Sequence, residues 1–308
     1  MKHLALAAAF ALPLAACTTA QTAAAPEAPT GPPLAEQVDT VAAGYGFVEG
    51  PAVGPDGAVY FTDMPAKVIA RFDPATGKAQ TWREDSGRAN GLSFNPDGEL
   101  FAAEGGRHRV AKYVPEADGH AAVSTPIVDK YDGKLLNQPN DVAADAHGGV
   151  YFTDPDFNDR EGEKPGVEGV YYVNAVGDIT LLTGDHERPN GVALSPDGKT
   201  LYTQDVKASV IHAHDVVAPG RVQNSRVFAD VSDIGDEKKG GPDGLCIDTD
   251  GNVYSALFRG GAVAVYDKDG NRLQVIPTGP QTTNCVLDED ESYLYVTADK
   301  QLKRIKLR

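Results

Sequence analysis

Basic charge is scarce in this chain. Twenty-eight Lys and Arg stand against 44 Asp and Glu, a formal charge of −16 over 308 residues. That balance excludes nucleic acid as a partner and is compatible with cation binding. Cysteine is scarcer still: Cys17, Cys246 and Cys285 only. A bridge between the last two needs Cα atoms within about 7 Å, and the expected state is two buried free thiols. No strand-turn-helix serine elbow occurs, so Ser-His-Asp catalysis has no anchor. His108, His120, His147, His186, His212 and His214 follow no site spacing and read as surface or packed residues. Long apolar runs are absent apart from Leu4 to Ala16, which is too short to span a membrane stably.

That one run has a meaning of its own. Lys2 and His3 precede it, and Leu14-Ala15-Ala16-Cys17 ends it. A charged start, a short apolar core and small terminal residues describe an export signal over residues 1–16. The last four residues resemble the lipobox of bacterial lipoproteins, which implies a lipidated Cys17. Thr18 beside it points to the outer membrane, with the chain on the periplasmic side. Residues 17–37, rich in Ala, Pro and Thr, read as a tether that spans roughly 65 Å when extended. The membrane is then met only through the lipid, and the folded part, residues 38–308, is expected as a monomer.

What the chain has in plenty is a repeat. Turn glycines recur at Gly57, Gly98, Gly148, Gly198 and Gly251, and a degenerate sixth turn falls at Asp290-Glu291-Ser292. Each turn joins two short apolar runs. Six copies of about 45 residues match the four-stranded blade of a propeller. The fold class is therefore all-β, a six-bladed propeller. Blade six runs out of chain one strand short, and Val38–Ala43 lies upstream without a partner. This N-terminal strand is expected to complete the last blade and remove a free sheet edge.

Eight positions before each turn stand Glu49, Asn90, Asn140, Asn190, Asp243 and Asn284. The first strand of a blade lines the central channel, so this register predicts a ring of oxygen-bearing side chains at one channel mouth. Six residues after the turns come Asp63, Glu104 and Asp154, with Asp205 one place late. These form an expected second ring around the same mouth, broken by Leu257. Oxygen donors suit hard cations, Ca²⁺ first and Mg²⁺ or Mn²⁺ next. With no His or Cys in register, Zn²⁺ is disfavoured. Polar residues at a channel mouth can also simply satisfy free backbone groups. Two long connections, Asp154 to Glu168 and Asp233 to Gly241, break the rhythm and are placed where binding loops sit on a rigid scaffold.

Several ordered motifs carry a resemblance. Val48-Glu49-Gly50-Pro51, Leu136-Asn137-Gln138-Pro139-Asn140-Asp141-Val142, Tyr151-Phe152-Thr153-Asp154-Pro155, Arg188-Pro189-Asn190-Gly191, Gly241-Pro242-Asp243-Gly244-Leu245 and Thr282-Thr283-Asn284-Cys285 are similar to the senescence-marker-protein/gluconolactonase/luciferin-regenerating-enzyme family, over about residues 40–308. The resemblance is nearest to the bacterial gluconolactonases. It implies a propeller with one catalytic divalent metal that opens sugar lactones to aldonic acids. By position it implies Glu49, Asn140, Asn190 and Asp243 as metal ligands, with Asp243 also the base. Asn90, Glu104, Asp154 and Asn284 are then placed to hold sugar hydroxyls. The chain departs from the family pattern at Val53, where Trp is frequent, at Gln138, where animal members carry Arg, and at Asn158, nearest to a loop Glu of those enzymes. Two other readings stay open: a phosphotriesterase resembling diisopropyl fluorophosphatase, and a non-enzymatic binding propeller of the envelope.

Overall fold

Five copies of the repeat each fold into four antiparallel strands in sequence order, the sixth supplies three, and six four-stranded sheets stand around one axis. The computed structural model describes residues 37–114, 124–158, 161–234 and 241–307. The expected export signal, Cys17, nearly all of the tether and His120 lie outside the described residues, as do parts of both long connections. Among the described residues, one three-residue 3-10 turn, Gly105–Arg107, is the only helical element. No helix there is long and apolar enough to cross a membrane.

Blade one comprises Val48–Val53, Val59–Asp63, Val68–Asp73 and Lys78–Arg83. Blade two comprises Ala89–Phe94, Leu100–Glu104, Arg109–Tyr113 and Thr125–Val128. Blade three has Val142–Ala144, Val150–Asp154, Gly169–Val173 and Ile179–Thr183. Blade four has Pro189–Leu194, Thr200–Asp205 and the long outer pair Val210–Ala218 and Arg221–Asp230. Blade five runs through Pro242–Ile247, Val253–Leu257, Ala262–Tyr266 and Arg272–Pro277. Blade six takes Thr282–Leu287, Tyr293–Ala298 and Gln301–Lys306 from the end of the chain. Its fourth strand is Val38–Ala43, paired antiparallel with Gln301–Lys306 from Val38 opposite Ile305 to Ala43 opposite Gln301. The ring closes as the unpaired N-terminal strand implied.

Six apolar clusters fill the six seams between neighbouring blades. Tyr60, Ile69 and Trp82 meet Leu92, Leu100 and Tyr113 between blades one and two. Phe61 and Phe72 meet Tyr295 and Leu302 where blade one meets blade six. Burying one such side chain contributes about 1.5–3 kcal/mol, so the seams hold the ring together. The single tryptophan lies at one of them, edge-on to Tyr60 with ring centroids 5.0 Å apart.

The inner strands approach the axis through a shared irregularity. In blades one, two, four and five the register slips at the ring position, between Glu49 and Ala52, Ala89 and Leu92, Pro189 and Val192, and Pro242 and Leu245. A β-bulge of this kind kinks a strand and re-aims a side chain. The residue after the ring position is Gly50, Gly91, Gly191 or Gly244 in these blades. A Cβ on Gly50 would stand 2.2 Å from the Asn90 carbonyl oxygen, and one on Gly191 would stand 2.5 Å from that of Asp243. Only glycine lets the inner strands converge this closely. In blade three that position is Asp141.

Candidate metal and substrate site

At the axis, Glu49, Asn90, Asn140, Asn190 and Asp243 line one cavity of about 300 Å³. Glu49, Asn140, Asn190 and Asp243 are 4%, 8%, 7% and 6% exposed. Five of the six ring positions therefore meet as the eight-residue interval implied. Glu49 accepts a 3.1 Å hydrogen bond from the Gly50 amide, and the Asn190 side chain lies beside Asp243.

Among the described residues no side-chain cation is paired with the carboxylates of this floor. Burial, then the neighbouring Asp243 and Asp141, raise the Glu49 carboxyl well above the usual carboxylate range. Burial and the nearby Asp141 do the same to Asp243. Buried like charges at short range favour either a proton or a cation. The donor chemistry fits a hard divalent cation: two carboxylates, two carboxamides, no sulfur and no imidazole. Among the described residues no cluster of three or more His, Cys, Asp or Glu side chains has a metal-holding arrangement. That agrees with this donor set, half of which is carboxamide.

Asp141 is a functional candidate the repeat contained but the ring register passed over. It stands where blades one, two, four and five place glycine, and its side chain reaches across to blades four and six. Its carboxylate accepts bonds from the amides of Val142 (3.0 Å) and Val192 (3.3 Å) and from Asn284 Nδ2 (3.4 Å). Burial lifts its pKa to about 7, against those bonds. The visible signal was a carboxylate breaking a column of glycines.

Three expected substrate contacts are corrected by the structure. Asn284 does not line the cavity. Its Oδ1 accepts from the Cys285 amide at 2.8 Å, and with Asp141 it faces a second cavity of about 360 Å³ on the inner strands. Glu104, fully buried, is the anchor of Arg109 (2.6 Å), Arg107 (3.2 Å) and the Tyr113 hydroxyl. Asp154, also fully buried, accepts from the Asn137 amide at 2.7 Å. The other two Asp residues of the second ring bind loop amides as Asp154 does. Asp63 takes the amides of Gly46 and Phe47, and Asp205 takes those of Glu187, Lys207 and Ala208. These carboxylates tie down the loops that lead into or follow the inner strands, satisfying backbone donors that would otherwise be buried and unpaired.

Both long connections reach the cavity, through Phe157 and Asn158 on one side and Gly241 on the other. Two of the positions at which the chain departs from the family pattern meet there. Asn158 Nδ2 donates to Gln138 Oε1 at 2.7 Å, and both residues line the cavity. Opposite them is an apolar wall of Phe47, Met64, Val206 and Phe258, with the two phenyl rings 6.0 Å apart. Cys246 and Cys285 are free thiols, Cys285 buried and Cys246 half-buried.

Fold and floor together define a six-bladed propeller built around a cavity of buried oxygen donors. The chain belongs to the SMP-30/Gluconolactonase/LRE-like family, whose sequence profile matches residues 47–300. A gluconolactonase of Zymomonas mobilis is 27% identical over 296 residues, covering 88% of this chain and 81% of that one. A pentonolactonase of Haloferax volcanii is 31% identical over 255 residues, covering 81% and 80%. A solved gluconolactonase structure from Xanthomonas campestris superposes with a TM-score of 0.76 at 27% identity, covering 88% and 89%.

Proposed function

We propose that this protein is a divalent-cation-dependent lactonase that opens sugar lactones to aldonic acids. The observation that carries the reading is the convergence of Glu49, Asn140, Asn190 and Asp243, all buried, on the floor of one cavity. The similarity to enzymes named for gluconolactone and pentonolactone hydrolysis supports the substrate class. These four residues would hold the cation, Ca²⁺ by donor type, and the bound ion would polarise the lactone carbonyl and stabilise negative charge on its oxygen. Asp243 keeps its carboxylate beside that charge and takes the proton of the attacking water. Asn190, beside Asp243, lowers the cost of keeping that carboxylate ionised. Asn90 offers a donor and an acceptor to ring hydroxyls from the cavity wall. Phe47, Met64 and Phe258 cover the apolar side of the sugar and exclude bulk water.

The test is proton release from glucono-, galactono- and xylonolactone, run on metal-stripped protein and again with Ca²⁺, Mg²⁺, Mn²⁺ or Zn²⁺. Turnover above the spontaneous rate only when a divalent ion is present is the expected result. No turnover with any ion, in folded protein, contradicts the reading. We propose also that the mature chain is exported and lipid-anchored through Cys17. Cys17→Ser is expected to move the protein from the membrane to the soluble fraction of a Gram-negative host, and equal partitioning of both forms contradicts the anchor.

A further inference from the structure

Among the described residues, one cationic side chain lines the cavity, that of Arg88. Its neighbours on the same face are committed elsewhere. Arg107 pairs with Asp85 (2.8 Å) and Glu104 (3.2 Å), and Arg109 pairs with Glu104 (2.6 Å). Arg188, at the equivalent position of blade four, lies over the Phe157 ring at 5.2 Å with Glu168 3.9 Å from its Nε. Arg88 is exposed and has no carboxylate and no side-chain hydrogen bond among the described residues.

The backbone beneath Arg88 is built to hold it there. Arg88 has a left-handed conformation, φ 59°, which non-glycine residues adopt at a cost. The Gly106 amide donates to the Gly87 carbonyl at 3.1 Å, and a Cβ on Gly106 would meet the Arg88 Cβ at 2.8 Å. The turn Gly105–Arg107 therefore packs directly against this residue. Across the seam, Gln138 and Asn158 extend the polar wall, while Phe47, Met64 and Phe258 form the apolar one.

A neutral sugar lactone needs only neutral partners, and Asn90, Gln138 and Asn158 already supply them. A guanidinium with no carboxylate partner among the described residues adds one capability, binding an anionic oxygen group through paired N–H donors. In a protein of formal charge −16, an anionic substrate would otherwise meet only repulsion at this mouth. We infer that Arg88 reads an anionic group on the substrate, a carboxylate or phosphate at the end of the sugar remote from the lactone carbonyl. The inference rests on the lactonase reading and narrows it to acidic sugar lactones.

The test compares kcat/KM for glucono-δ-lactone (neutral), glucarolactone (carboxylate) and phosphogluconolactone (phosphate), with the cation present. Wild type is set beside Arg88→Asn, because asparagine tolerates the left-handed backbone, and beside Arg88→Lys. Wild type is expected to prefer one anionic lactone by about tenfold or more, the range of a charged hydrogen-bond pair. Arg88→Asn should lose that preference, mainly through KM, and change neutral turnover by less than about twofold. Arg88→Lys should recover part of it. The better of the two anions identifies the group. Preference for the neutral lactone in wild type, or equal losses on all three in Arg88→Asn, overturns the inference. Calorimetric titration with glucarate, phosphogluconate and gluconate reads the same contact without turnover. Weaker binding of glucarate or phosphogluconate in Arg88→Asn, with gluconate unchanged, supports the inference even if every lactone proves inert, an outcome that would instead remove the lactonase reading. Unchanged binding of both overturns it.

Discussion

Replacing Asp243 with asparagine should cut lactone turnover by about a thousandfold or more and yet raise the melting temperature of the metal-free protein. The two effects have one cause. Asp243 is buried beside Asp141 and Glu49, and among the described residues no side-chain cation is paired with the three carboxyls. Folding without a bound ion must protonate these groups or tolerate their repulsion. Asparagine removes one charge, and its carboxamide keeps nearly the same volume against Asn190. It also removes the base and one of the two anionic donors to the cation. Stability and activity therefore move in opposite directions, as expected where function needs an adverse arrangement. A shift of several degrees is expected, since about 1 kcal/mol corresponds to about 2–4 °C for a domain of this size. The check is a thermal melt in chelator beside a turnover assay in Ca²⁺. Turnover within tenfold of wild type, or a lower melting temperature in chelator, would contradict the assignment of Asp243.

Acid should weaken the seam between blades three and four before the rest of the ring. His186, His212 and His214 gather there, with centroids of His186 4.5 Å from His212 and 5.7 Å from His214. Thr203 Oγ1 bridges His186 Nε2 (2.7 Å) and His214 Nε2 (2.9 Å), and His214 Nδ1 meets Ser225 Oγ at 2.7 Å. Burial is the main reason, and the neighbouring rings the second, that His186 and His214 are lowered to about 4. Asp205 faces His212, and Asp215 faces His214, but Arg226 is also near and holds Asp215 at 2.7 Å. The unfolded chain thus binds more protons than the native one between about pH 6.5 and about pH 4. Stability is fully present above that window and is lost as pH falls through it. The loss is on the order of 3 kcal/mol per ring. Denaturant titrations across this window, with Ca²⁺ present to hold the floor carboxylates ionised, should show the slope. His214→Gln should reduce it by about one proton. An unchanged slope in that variant would contradict a neutral histidine cluster.

The ring of Glu49, Asn90, Asn140, Asn190 and Asp243 was legible because one backbone device repeats. A bulge and a glycine fix the inner strands of blades one, two, four and five at the axis, so an eight-residue interval in sequence becomes a position in space. The second ring was legible as a pattern but not as chemistry. A carboxylate at the end of a strand looks the same whether it faces a cavity or caps the amides of a loop, and Asp63, Asp154 and Asp205 cap amides. Outer strands were the least legible part of the fold. Lys78–Arg83 and Arg221–Asp230 expose most of their residues, so no alternation marks them. The closing strand was found by counting instead, from a blade that lacked a partner. Arg88 carried no signal at all in sequence, because what distinguishes it is that, among the described residues, it has no partner of the kind that Arg107, Arg109 and Arg188 each possess.

The most direct measurement is a calorimetric titration of Ca²⁺ into metal-stripped protein, with lactone turnover read at each addition. Binding and turnover should reach their plateaus together at one ion per chain, and Glu49→Gln should abolish both. Full turnover in stripped protein, or an ion bound at the Glu49–Asp243 floor without any gain in turnover, would contradict a cation-dependent lactonase.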